Sequence, residues 1–141
     1  MTETLGKYPN TFYRVSLKAI IRDEQGRVLL VKENGSTWNF PGGGMDHGET
    51  AEDALKRELQ EEAALDAPFE ATLLGVDSYY LETKEAWLMW IVYEVVPAAG
   101  FTYGKGTDAD DVAFIDPQTF KDDDERHAHQ IYKWAVEKSP R

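Results

Sequence analysis

From Tyr13 to Asp23 the chain alternates: Val15, Leu17, Ala19 and Ile21 fall on one side and Arg14, Ser16 and Lys18 on the other, until Ile20 breaks the period. A period of two belongs to a strand. Asp23-Glu24-Gln25-Gly26 then reads as a turn, with glycine where a positive φ is needed. Val28–Val31 resumes the strand pattern, so a hairpin is expected. After Glu33-Asn34-Gly35-Ser36, the residues Trp38-Asn39-Phe40 suggest a short aromatic strand, stopped by Pro41 and by Gly42-Gly43-Gly44. The three glycines are expected to form a tight turn whose backbone amides approach a ligand closely.

Thr50 opens a helix. It stands three residues before Asp53 as a capping box, and Glu52 and Asp53 suit the positive end of the helix dipole. The helix is expected over Thr50–Leu65, with Pro68 beyond it as a stop. Strands are expected at Ala71–Leu81 and Trp87–Val96, joined by the turn Glu82-Thr83-Lys84-Glu85. A Gly- and Asp-rich loop, Pro97–Asp111, leads to a short strand at Val112–Ile115. Asp124–Lys138 reads as a closing amphipathic helix with Ile131, Trp134 and Ala135 on one side. Without repeats or a linker, these elements make one α/β or α+β domain over residues 1–141 with a mixed sheet.

On a wheel of about 100° per residue, Glu58, Glu61 and Glu62 converge. They share an arc with Ala51, Ala54, Leu55 and Leu65, while Glu52, Asp53, Lys56 and Gln60 take the opposite side. The glutamates therefore face the protein body. Carboxylates about 6 Å apart repel by on the order of 3 kcal/mol per pair at an effective dielectric near 20. Arg57 relieves part of this, but one guanidinium does not neutralise three carboxylates. Either their pKa values rise or a divalent cation sits among them. Oxygen donors without cysteine or a nearby histidine favour Mg²⁺, with Mn²⁺ as a substitute, over zinc.

Composition sharpens this picture. Among 141 residues, 42% are hydrophobic and 29% charged, which is the make-up of a folded globular chain. The absence of cysteine excludes disulfides, thiolate metal sites and thiol nucleophiles. Met1–Asn10 is polar, and no apolar run approaches the roughly 20 residues that span a bilayer. A soluble, cytoplasmic protein is the resulting expectation. The net charge of −11 opposes polyanions, so duplex nucleic acid is not the expected partner. A small phosphorylated substrate meets the same field unless cations intervene.

The spacing itself resembles a known motif. Gly43, five residues, Glu49, seven residues, then Arg57-Glu58-Leu59-Gln60-Glu61-Glu62-Ala63-Ala64-Leu65 is similar to the Nudix box, G-x5-E-x7-R-E-U-x-E-E-x-G-U, at eight of nine specified positions. The flanking Trp38–Gly44 also resembles the family's approach to the box. The resemblance implies an α/β/α sandwich with a mixed β-sheet that hydrolyses a nucleoside diphosphate linked to another moiety. It implies that Glu58, Glu61 and Glu62 ligate the metal, that Glu49 and Arg57 orient the loop and helix, and that Gly43, with Gly44 beside it, contacts metal or phosphate. The base is then a box glutamate, Glu58 or Glu61, or an acid from a later loop.

Ala64 departs from the pattern's glycine, which usually closes the helix in the left-handed conformation. The helix end is expected to rearrange by a residue or two. Asp108, Asp110 and Asp111 are the loop acids that could serve as ligand or base, and Glu94 is a further one. Arg14 and Lys18 share a strand face suited to phosphates. Trp38, Tyr79, Tyr80, Trp87, Trp90 and Tyr103 divide between core and base-stacking roles. His47, His127 and His129 are expected at the surface. Past the box, Tyr79-Tyr80-Leu81 without proline disfavours ADP-ribose and leaves dinucleoside polyphosphates open. A homodimer is compatible with the sequence. The competing reading is a Nudix-type module that binds a nucleotide without cleaving it; the isomerase branch would need a further nucleophile, and no cysteine is present.

Overall fold

The computed structural model describes residues 4–5, 8–9, 12–32 and 37–139. The expected turn Glu33–Ser36, most of Met1–Asn10 and the side chain of His127 lie outside the described residues. Strands β1 (Thr4–Leu5) and β2 (Tyr8–Pro9) pair antiparallel. Then follow β3 (Tyr13–Ile20), β4 (Val28–Lys32), β5 (Gly42–Gly44), α1 (Ala51–Ala63), β6 (Phe69–Leu81), β7 (Ala86–Pro97), β8 (Asp111–Ile115) and α2 (Arg126–Tyr132). Four strands form a sheet in the order β5-β3-β7-β6. β3 and β7 run parallel while the other neighbours are antiparallel, so the sheet is mixed as expected.

The break in alternation at Ile20 has a physical cause. Leu17, Ala19 and Ile21 pack with Ala54, Leu55, Leu59 and Ala63 of α1. Ile20 packs on the opposite side with Ile131 of α2 and with Trp134 and Ala135 just beyond it. All four β3-region residues are fully buried. A strand covered on both faces has no solvated side to keep polar. Helix, sheet and helix thus form three layers.

The expected hairpin forms only at its mouth. Gly26 (φ 80°) makes the turn, Asp23 N–H donates to the Arg27 carbonyl and Leu29 N–H to that of Ile21. Beyond this β4 leaves β3 and pairs with β8 instead, Val28 opposite Ile115 through Lys32 opposite Asp111. The aromatic strand at Trp38–Phe40 reduces to one bridge, Asn39 exchanging both hydrogen bonds with Val31. The glycine run is the strand. A Cβ on Gly42, at φ 137°, would stand 1.8 Å from the Leu17 carbonyl oxygen. Only glycine lets this edge lie so close to β3.

Helix α1 starts as the cap predicts, Asp53 N–H donating to Thr50 Oγ1 at 3.2 Å. It ends at Ala63, and Ala64 keeps the left-handed conformation at φ 49° and ψ 33°. The expected rearrangement at Ala64 does not occur. Its N–H still reaches the Gln60 carbonyl, and buried Leu65 returns its own N–H to that of Leu59. The closing helix begins at Arg126 and continues over Lys133–Glu137 with π-type geometry. Among the described residues no helix is long and apolar enough to cross a membrane.

Candidate active site

Leu55, Leu59 and Ala63 are fixed in the core, and this rotation of α1 sets where its charged residues point. Arg57 becomes a hub. Its Nε and Nη2 grip the two oxygens of Glu49 at 2.8 and 2.9 Å. Nη1 donates to Glu58 at 2.9 Å and to Glu61 at 3.3 Å, and Nη2 also reaches the Gly44 carbonyl at 3.1 Å. The planar fork suits this two-oxygen grip. Glu49 also accepts from the Asp46 N–H at 2.8 Å. The Arg57 contacts, then that amide, hold the Glu49 carboxyl down at about 2. Hydrogen bonding to Glu49 first, opposed by burial, holds the Arg57 guanidinium above its ordinary range.

Glu58 lies against the backbone of Gly43, where a Cβ would stand 2.8 Å from its carboxylate. Burial pushes its pKa up against the pull of Arg57. Glu62 is 3% exposed and accepts the Gly42 N–H at 2.6 Å. Glu61 has 35% of its side chain exposed and does not line the cleft that Glu58 and Glu62 share. Arg57 thus relieves part of the crowding, as expected, and the Glu58 carboxyl still stands above its ordinary value. Two of the three glutamates share Arg57 and the third turns to a backbone amide.

Glu58 and Glu62 open into one cleft of about 710 Å³, within the usual range for small-molecule sites. Asp108 and Asp110 line it and Asp111 does not. Gly104, Gly106 and Asp108 donate their N–H groups to the carbonyls of Ala63, Glu62 and Glu61. A Cβ on Gly106 would stand 2.0 Å from the Glu61 oxygen. The acidic loop is thus strapped to the last turn of the carboxylate helix, a contact no local pattern announced beyond the two glycines.

Arg14 and Lys18 line the same cleft, as do Ser16, Thr37 and Lys84, which sequence reading had not singled out for the site. Of the aromatics, Tyr79 and Trp90 reach it. Trp38 instead lies beneath Lys32 Nζ, 4.7 Å from its ring centre. Tyr80 and Trp87 stack at the surface with Tyr13, and Tyr103 packs on Phe101 and Phe114. Glu94 pairs with Arg22 at 3.2 Å and is not a cleft residue. His47 and His129 are exposed.

The donor set matches a hard divalent cation in chemistry: oxygen ligands alone, two glutamates and two aspartates facing one cleft. Among the described residues, no three acidic or histidine side chains already converge as a cage. The structure thus brings Glu58 and Glu62 to the cleft, and leaves Glu61 on Arg57.

The NUDIX domain model matches residues 12–135. Over 74 residues, 51% of this chain and 43% of that protein, the chain is 39% identical to the RNA pyrophosphohydrolase of Saccharophagus degradans. Over 73 residues it is 43% identical to that of Psychrobacter cryohalolentis, covering 42% of the relative. The match spans under half the length of these curated relatives. Among solved structures, a MutT NUDIX hydrolase from Burkholderia pseudomallei superposes with a TM-score of 0.69 at 25% identity, over 92% of this chain and all of that one. The NUDIX domain of Shewanella oneidensis NrtR, complexed with ADP ribose, gives 0.68 at 17% identity over 91% and 88%, a likeness of fold. With the family model spanning β3 to α2, with Gly43, Glu58 and Glu62 of the box on one cleft and Glu49 and Glu61 held by Arg57 beside it, this chain belongs to the Nudix family.

Proposed function

We propose that the chain acts as one domain and is a Mg²⁺-dependent hydrolase that cleaves a phosphoanhydride bond in a nucleoside diphosphate linked to another moiety. The observation that carries this is the Arg57 hub, which ties Glu49, Glu58 and Glu61 together at the edge of a cleft that also holds Glu62, Asp108 and Asp110. Glu58, Glu61 and Glu62 would hold the cation. When bound, the cation supplies charge neutralisation at the phosphates and makes water more acidic.

The remaining work belongs to the chain itself. Bare backbone at Gly43 and Gly44 admits phosphate oxygens closely. Arg57 and Glu49 keep the loop and α1 in register. Water attacks phosphorus, the P–O bond to the leaving phosphate breaks, and a carboxylate takes the proton water gives up. Glu58, Glu61, Asp108 and Asp110 are the acids we propose for that step. The curated relatives named RNA pyrophosphohydrolase support pyrophosphate-bond chemistry. The net charge of −11 favours a small nucleotide over a polynucleotide as substrate.

The test is a panel of nucleoside triphosphates, nucleotide sugars, ADP-ribose, dinucleoside polyphosphates and a 5′-triphosphorylated oligoribonucleotide. Phosphate-containing products are expected with Mg²⁺ or Mn²⁺ and none with EDTA. Turnover that survives thorough chelation removes the metal from the proposal. Binding without turnover across the panel replaces the hydrolase with a nucleotide-binding module.

A further inference from the structure

Among the described residues two charged side chains are buried, Lys18 at 7% exposure and Glu62 at 3%, and both line the cleft. They meet at one glycine. Lys18 is the register partner of Gly42, and the Gly42 N–H donates to Glu62. Burying an ammonium is costly, so its position needs a reason. Its Nζ lies 5.1 Å from the centre of the Trp90 ring, a cation–π contact that steadies it, and its charge also attracts the Glu58 carboxylate across the cleft. Lys18 is therefore a positioned cation, unlike a flexible surface lysine.

Arg14, Ser16 and Lys18 occupy one face of β3 and run from exposed to buried into the cleft. Opposite them, Gly42 and Gly44 of β5 offer backbone with no side chain; a Cβ on Gly44 would stand 3.2 Å from Arg14 Nη2. The two cations thus flank a bare strip of strand. Arg57 does not supply this charge, because Nε, Nη1 and Nη2 are all engaged by Glu49, Glu58, Glu61 and Gly44. In a chain of net charge −11, substrate phosphates must be met by local cations.

We propose that Lys18 and Arg14 form a two-cation seat over β5 for adjacent phosphates of a nucleoside diphosphate or longer phosphate chain, Lys18 on the reacting phosphoryl group and Arg14 on its neighbour. The proposal rests on the phosphohydrolase reading of the same cleft. Lys18 places a fixed positive charge where negative charge grows during bond cleavage, which acts on the rate. Arg14, nearer the mouth, acts on binding.

The test uses Lys18→Met, Lys18→Arg and Arg14→Met, with turnover measured on the best panel substrate and binding measured calorimetrically with α,β-methylene-ADP and Mg²⁺. Lys18→Met is expected to lower kcat about 100-fold, and Lys18→Arg to recover most of it, which separates charge from packing. Arg14→Met is expected to raise KM about tenfold, the loss of one charge-assisted contact, with kcat nearly unchanged. Both methionine variants should bind the analogue about tenfold more weakly. If Lys18→Met does not fold, Lys18→Arg and the exposed Arg14→Met carry the comparison. Folded variants with wild-type kcat, KM and analogue affinity overturn the seat while leaving the hydrolase intact. A wild type that cleaves nothing yet binds the analogue, with these losses in the variants, overturns the hydrolase and keeps the seat. A wild type that does neither overturns both.

Discussion

Ala64→Gly is expected to stabilise the protein and leave its site untouched. Ala64 closes α1 at φ 49°, where a Cβ crowds the following carbonyl at a cost of roughly 1–2 kcal/mol. The chain is held there from both sides. Ala64 N–H reaches Gln60 at 3.1 Å, and Leu65, only 2% exposed, bonds back to Leu59 at 3.2 Å. The Ala64 methyl is exposed, so deleting it forfeits no packing. Glycine adds roughly 0.4–1 kcal/mol of unfolded-chain entropy against this relief. The balance is a gain of about 0.5–1 kcal/mol, or about 1–4 °C in Tm for a domain of this size. Urea titration of wild type, Ala64→Gly and Ala64→Val measures it, since the slope should not change. Valine, β-branched, is expected to lie below alanine by about 1 kcal/mol or more. An order other than Gly, Ala, Val would refute the left-handed cap as the source of strain. A fall in Ala64→Gly turnover beyond about twofold would show that this cap supports the carboxylates, contrary to the exposure of its side chain.

Two further outcomes follow from the hub and the strap. Arg57→Lys keeps the charge but loses the fork that spans both Glu49 oxygens, so kcat/KM should fall about 10- to 100-fold, as should Glu49→Gln. In the double mutant the losses should overlap by about 1–2 kcal/mol; full additivity would mean the two residues act separately. Gly106→Ala drives a Cβ into the Glu61 carbonyl and should release the loop's three amide bonds to α1, costing about 2–3 kcal/mol and lowering kcat. Gly104→Ala, whose Cβ meets nothing within 4 Å, should stay within about 0.5 kcal/mol, and equal stability of the two variants would remove the strap from the account.

What the sequence revealed of the fold was whatever is encoded at short range. The capped helix, the β6–β7 pair and the turn at Gly26 each depend on residues a few positions apart, and each formed within one or two residues of its expected place. Pairing at long range was hidden. Nothing in Val28–Val31 distinguishes β3 from β8 as its neighbour, because a fully apolar run satisfies either. The glycines misled for a related reason. Their conformational freedom pointed to a tight turn, whereas the requirement was tertiary: β5 must pass so close to Leu17 that no side chain fits.

The candidate site divides along the same line, between residues brought together locally and residues brought together by the sheet. Glu58, Glu61 and Glu62 share a helix face, so a wheel places them together; Glu49 arrives eight positions before Arg57 and their pairing follows from chemistry. A charge count alone, however, did not show how the three glutamates are accommodated. It did not show that Arg57, beyond its fork on Glu49, also serves Glu58 and Glu61, or that Gly42 would offer Glu62 its amide. Lys84, Thr37 and the strap of Gly104–Asp108 reach the cleft from β–β connections whose positions only the folded sheet determines. The acids near the proposed cation are therefore fixed by two kinds of restraint. The glutamates depend on the rotation of α1 set by its buried leucines, and Asp108 on the backbone carbonyls at the end of that same helix. A change that rotates or frays α1 should disturb both acidic walls of the cleft together, while a change at the exposed Arg14 side chain should alter its cationic floor.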